Sequence, residues 1–150
     1  MISFFPDVNV WIALSVIGHS HNSVAWQWLD HLPRETSLIF SRYTQVGLLR
    51  LLTNRAAMGE ETLTVDRAWN VYEGWLDDPR VELYPEPRNV DTAFRHATAP
   101  FAAQYASKWI GDCYLLAFAK ETRTTLVTFD QALLRLARKH EYAAIIATQT

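Results

Sequence analysis

Three aspartates, Asp7, Asp112 and Asp130, stand in apolar surroundings: PDVNVWIAL, GDCYLLAFA and VTFDQAL. Their neighbours Val8, Val10, Trp11, Cys113, Leu115 and Leu116 belong in a core. Carboxylates set beside that much apolar surface are partly desolvated, and three brought together repel. A divalent cation relieves the repulsion, and hard oxygen ligands suit Mg²⁺ or Mn²⁺. Such an ion takes one or two carboxylates directly, orients a water and neutralises charge on a phosphate oxygen. A plainer reading stands beside this one. Asp is a favoured N-cap, and each of the three is expected where a helix begins. Singly they read as caps; jointly they read as a metal site.

The elements that must position them follow from the apolar pattern. Short runs at 2–5, 37–40, 81–84, 125–129 and 143–147 read as strands. Helical spacing is expected over 8–17, 21–32, 43–53, 64–77, 90–99, 111–121 and 131–140. Pro33, Pro85, Pro87 and Pro100 punctuate the pattern. Alternating helices and strands predict an α/β domain, a central, mostly parallel sheet flanked by helices. In such sheets a site forms outside the carboxyl ends of the strands. Asp7 and Asp130 follow two predicted strands, and Asp112 is expected to open a helix leaning over the same edge.

Composition narrows the class. The 150 residues suit a single domain spanning 1–150. The net charge of -2 gives no global basic field, so contact with a polyanion needs a local patch or a metal. One cysteine, Cys113, excludes an internal disulfide and a multi-Cys zinc site, and reads as core. The five histidines show no metal-ligand spacing, and His19 and His21 read as surface or capping residues. No signal peptide or bilayer-spanning run is evident, so the chain is expected to be soluble, cytoplasmic and free of membrane.

The three aspartate segments, with HSHNSVAWQWL and YTQVGLLRLLTN, resemble PIN-domain ribonucleases of the VapC toxin family over nearly the whole chain. The resemblance implies a PIN-like fold and a Mg²⁺- or Mn²⁺-dependent nuclease acting on RNA. It also implies a homodimer and a cognate antitoxin. Position by position it assigns the acidic site to Asp7, Asp112 and Asp130, with Asp7 and Asp112 as direct ligands and Asp130 acting through water. One position departs. Where the family carries a Glu in the third helix, this chain reads GLLR, with Gly47 in its place.

Asn9, Gln45 and Thr128 are candidate supporting residues. Asn9 could hold Asp7 or play an ordinary first-turn role. Gln45 could touch substrate, and is otherwise a buried amide bonded to backbone. Thr128 could bond within the site, and is otherwise an ordinary β-branched strand residue. Arg42, Arg50 and Arg55 could meet phosphates or an antitoxin carboxylate, or be solvated. Trp26, Trp69 and Trp75 read as core or dimer surface. Two rival functions stay open: a non-catalytic PIN module that binds RNA or a protein, favoured by Gly47, and a phosphotransfer domain with Asp7 as nucleophile. The second lacks the acid expected at Asn9.

Overall fold

A computed structural model describes residues 2–148. Five strands form one wholly parallel sheet in the order β3-β2-β1-β4-β5. They are β1 (Ile2–Pro6), β2 (Thr36–Phe40), β3 (Val81–Leu83), β4 (Thr125–Thr128) and β5 (Ala144–Ile146). The expected strands are all present, with ends displaced by a residue or so. The helices are α1 (Val8–Ser15), α2 (Asn22–Asp30), α3 (Arg42–Leu52), α4 (Arg55–Met58), α5 (Val65–Leu76), α6 (Val90–Thr98), α7 (Ser107–Thr122) and α8 (Gln131–Lys139). The sequence pattern does not reveal α4, nor the 3-10 turns at Gly59–Glu61 and Ala99–Phe101. Pieces of three or four residues are too short to show a period.

Strand alternation divides the core into two layers. Phe4, Leu38, Phe40 and Val127 face a cluster with Val10, Trp11, Leu48 and Tyr72 from α1, α3 and α5. Phe5, Ile39 and Leu126 face the opposite layer, with Leu116 and Phe118 of α7 and Leu133 of α8. Helices covering both faces explain why β2 is buried along its whole length. Trp11 stacks on Phe40 with ring centroids 3.9 Å apart.

The register sets the position of the site. Phe5 pairs with Leu126 and Pro6 with Val127, so β1 and β4 end side by side at the sheet centre. The Asp7 N–H continues the ladder by donating to the Val127 carbonyl at 2.9 Å. The residues that follow the two strands therefore emerge together at the carboxyl edge.

Candidate active site

Asp7 is buried, with 4% of its surface exposed, and it caps α1. Its Oδ1 accepts from the Val10 N–H at 3.0 Å. Its Oδ2 accepts from the Thr128 hydroxyl at 2.6 Å. Burial pushes its pKa up to about 6, and the Asp112 carboxylate adds to the rise. The bonds from Thr128 and Val10 pull the other way without restoring an ordinary value.

Asp112 corrects the sequence reading. It does not open a helix: α7 starts at Ser107, its N-cap position is Ala106, and Asp112 lies in the second turn. Here it has no capping role, so the plainer reading fails for this residue. It is partly buried, and burial, then the Asp130 carboxylate, raises its pKa to about 6. Cys113 beside it is buried, with Sγ donating to the Ala97 carbonyl at 3.4 Å, as expected of a core thiol.

Asp130 is exposed and caps α8, its Oδ1 accepting from the N–H groups of Ala132 at 2.8 Å and Leu133 at 3.2 Å. Its own N–H donates to Thr128 Oγ1 at 3.0 Å. Thr128 thus bridges two of the three aspartates. Sequence reasoning preferred an ordinary strand role for it; the structure gives it two hydrogen bonds within the site.

Charge links the carboxylates in series: Asp112 raises the pKa of Asp7, and Asp130 raises that of Asp112. Among the described residues, no three His, Cys, Asp or Glu side chains gather closely enough to hold an ion together. A pair of direct carboxylate ligands is what Mg²⁺ ordinarily takes. Burial and a neighbouring carboxylate raise both pKa values to about 6, and the positive charge of a hard cation would offset that repulsion and favour the ionised forms. The donor set therefore fits the metal expected from the sequence.

The other candidates separate. Asn9 is exposed at the start of α1, with its backbone N–H toward Asp7, and lines a groove shared with Tyr43, Gly47 and Arg50. Gln45 is buried, but its Oε1 accepts from Arg42 Nη1 at 2.6 Å rather than from backbone. A Cβ on Gly47 would sit 3.0 Å from Val8 Cγ2, so the missing carboxylate coincides with a tight α1–α3 approach next to Asp7. Tyr43 was missed by sequence reasoning. Its hydroxyl lies 2.5 Å from where a Gly111 Cβ would be, which sets this half-exposed ring against α7 at the residue before Asp112. No local signal marks it, because the contact joins α3 to α7. His21 packs edge-on against Phe129 at 4.5 Å, one residue from Asp130.

A parallel sheet with acidic residues at its central carboxyl edge defines a class, and comparison agrees. The PIN domain family model matches residues 4–139, and the chain belongs to that family. Within it, the chain is 40% identical over 130 residues to Ribonuclease VapC41 of Mycobacterium tuberculosis, covering 84% of this chain and 88% of that protein. Ribonuclease VapC39 of the same organism is 28% identical over 136 residues, covering 85% and 88%. The fold also matches the crystal structure of VapBC2 from Rickettsia felis bound to a promoter DNA fragment. There the TM-score is 0.70 at 11% identity, covering 97% of this chain and 98% of that one. Mycobacterium tuberculosis VapC20, a Sarcin-Ricin loop cleaving toxin, matches with a TM-score of 0.64 at 16% identity, covering 88% and 93%.

Proposed function

We propose that this chain is a single-domain, metal-dependent ribonuclease, the toxin of a VapBC-type toxin–antitoxin pair. The observation that carries the reading is the buried Asp7, whose pKa the Asp112 carboxylate helps to raise, in a chain 40% identical to a protein named Ribonuclease VapC41. Asp7 and Asp112 would hold Mg²⁺ or Mn²⁺. Bound there, the cation supplies charge neutralisation at the phosphodiester and lowers the pKa of the attacking water. Thr128 and the Val10 N–H fix Asp7 in one rotamer, so the ligand is set before the metal arrives. The bonds to Ala132 and Leu133 occupy Asp130 Oδ1 and leave Oδ2 to orient a water.

The proposal includes a cognate antitoxin and a homodimer. Tyr43, Val46, Val65 and Trp69 on α3 and α5 are exposed, apolar surface that association would cover. Among the described residues no helix is long and apolar enough to cross a membrane, consistent with a toxin acting in the cytoplasm.

Asp7→Asn and Asp112→Asn test the reading, since Asn retains capping ability at position 7. Wild type should cleave RNA with Mg²⁺ or Mn²⁺, and both variants should lose that cleavage while keeping the fold. Unchanged cleavage in either variant defeats the assignment. Gly47 supports a second reading, a PIN module that binds RNA or a protein without cutting. On that reading wild type shows no metal-dependent cleavage, and the Asn variants still bind their partner.

A further inference from the structure

The net charge of -2 hides a sharp division. Residues 108–140 carry six Lys or Arg against three Asp or Glu, whereas the rest of the chain carries eight against thirteen. Helix α8 has Arg135, Arg138 and Lys139 and no acid. Among the described residues the ion pairs are Arg80–Asp78 and Arg95–Asp91, so these three cations are not neutralised by such a partner.

Part of this charge lines a trough. A cavity of about 360 Å³ runs between α8 and the segment from Pro100 to Trp109. One wall is Ala132, Arg135 and Lys139; the other is Phe101 and Trp109. The two rings are stacked, 5.7 Å apart and 16° from parallel, and Lys108 Nζ lies 5.2 Å from the Trp109 ring centre. The trough starts next to Asp130, because Ala132, which lines it, donates its backbone N–H to Asp130 Oδ1. Arg135 and Lys139 are one turn apart on α8, about 6 Å along its axis. Successive phosphates of an extended strand have similar spacing.

We infer that this trough holds unpaired RNA flanking the scissile phosphate, with Arg135 and Lys139 on successive phosphates and one base packed against the Phe101–Trp109 wall. The inference rests on the ribonuclease reading and extends it from the cleaved bond to its neighbours. A cationic wall facing an aromatic one suits a single strand, whose bases are free to stack. A duplex keeps its bases inside and offers only phosphates. The same division explains how a slightly acidic protein with a carboxylate site would attract a polyanion: binding charge and catalytic charge sit on adjoining surfaces.

The test uses the cleavage-deficient Asp112→Asn protein, a fluorescein-labelled single-stranded 12-nucleotide RNA of mixed sequence, and the matching RNA duplex. Anisotropy is read between 50 and 200 mM KCl. Adding Arg135→Gln and Lys139→Gln together should lower the slope of log affinity against log salt by about 1.4, two phosphate contacts at ~0.7 each. Trp109→Leu should weaken single-strand binding roughly tenfold. Trp109→Phe should recover most of it, and duplex binding should respond to neither. Arg67→Gln, on α5 across the sheet, should leave the slope unchanged. An unchanged slope in the Arg135/Lys139 variant, or an equal drop with Arg67→Gln, overturns the track. If wild type still cleaves RNA, the ribonuclease reading survives that result. If wild type neither cleaves nor binds RNA, that reading fails and the track falls with it.

Discussion

The Thr128 hydroxyl donates a 2.6 Å hydrogen bond to Asp7 Oδ2, joining two residues 121 positions apart. The same oxygen accepts from the Asp130 N–H, so one hydroxyl sets two carboxylates relative to each other. Its hydrogen bond also opposes the burial that raises the Asp7 pKa. Thr128→Val should therefore move that pKa further up, shifting the acid limb of the cleavage profile to higher pH. Stability should fall by about 1–3 kcal/mol, the cost of stranding buried polar groups. Thr128→Ser should restore both. An unmoved acid limb in a folded Val variant would show that the bond does not tune Asp7.

The metal-free protein should lose stability as pH rises from about 4 to about 6. Asp7 and Asp112 both rise from 3.8 to about 6, so the folded form binds their protons more tightly than the unfolded chain does. That contribution is fully present below pH 4 and is lost by the time pH has passed the folded values. For the buried Asp7 the shift corresponds to about 3 kcal/mol; the partly buried Asp112 adds less. Thermal melts in EDTA should show a lower Tm at pH 7.5 than at pH 5. Millimolar Mn²⁺ should recover the loss at pH 7.5, and Asp7→Asn with Asp112→Asn should remove both effects. A melt indifferent to pH and Mn²⁺ would contradict this coupling.

Below pH 6 protons should compete with the cation for the same oxygens. Mn²⁺ affinity, read by calorimetry, should fall steeply between pH 7 and pH 5.5. Affinity flat across that range would mean that other groups hold the ion.

Gly47 offers a packing test. An exposed helical Gly→Ala change normally gains about 1 kcal/mol, but a Cβ here meets Val8 at 3.0 Å. Gly47→Ala alone should be neutral or destabilising in urea unfolding. In a Val8→Ala background the same change should stabilise by about 1 kcal/mol. Equal effects in both backgrounds would show that the α1–α3 approach does not restrict the position.

Glu141 is the residue after α8's C-cap and sits at φ 62°, a left-handed conformation that disfavours side chains. The Tyr142 N–H closes the helix end on the Ala137 carbonyl at 2.8 Å. Glu also places negative charge at the negative end of the helix dipole. Glu141→Gly should relieve both and raise stability by about 1–2 kcal/mol. A drop in Tm would refute the strain argument.

What the sequence revealed and what it concealed have physical reasons. Runs such as TSLIF and TLVT are legible because a parallel sheet buried on both faces needs near-continuous apolar strands. Asp7 and Asp130 are legible because a cap and a strand end coincide there. Asp112 was expected to open a helix, but α7 starts at Ser107 and takes in Gly111. Inside α7 that glycine makes room for Tyr43, a contact with a residue of α3. Thr128 and Tyr43 were underrated for one reason: their partners lie far along the chain, where local pattern carries no information. Gln45 was expected to bond backbone, and its partner is the Arg42 side chain, three residues away.

The pairing of β1 with β4 also dictates when the pocket can exist. Asp7 leaves the ribosome early, yet the hydroxyl that fixes it and the carboxylates beside it belong to residues 112–130. A nascent chain halted before Asp130 holds a buried-type aspartate with nothing to complete it. If the protein is the toxin proposed above, the ribosome making it carries an incomplete pocket until the segment through Asp130 has emerged, and an antitoxin already present has that interval in which to meet the finished fold.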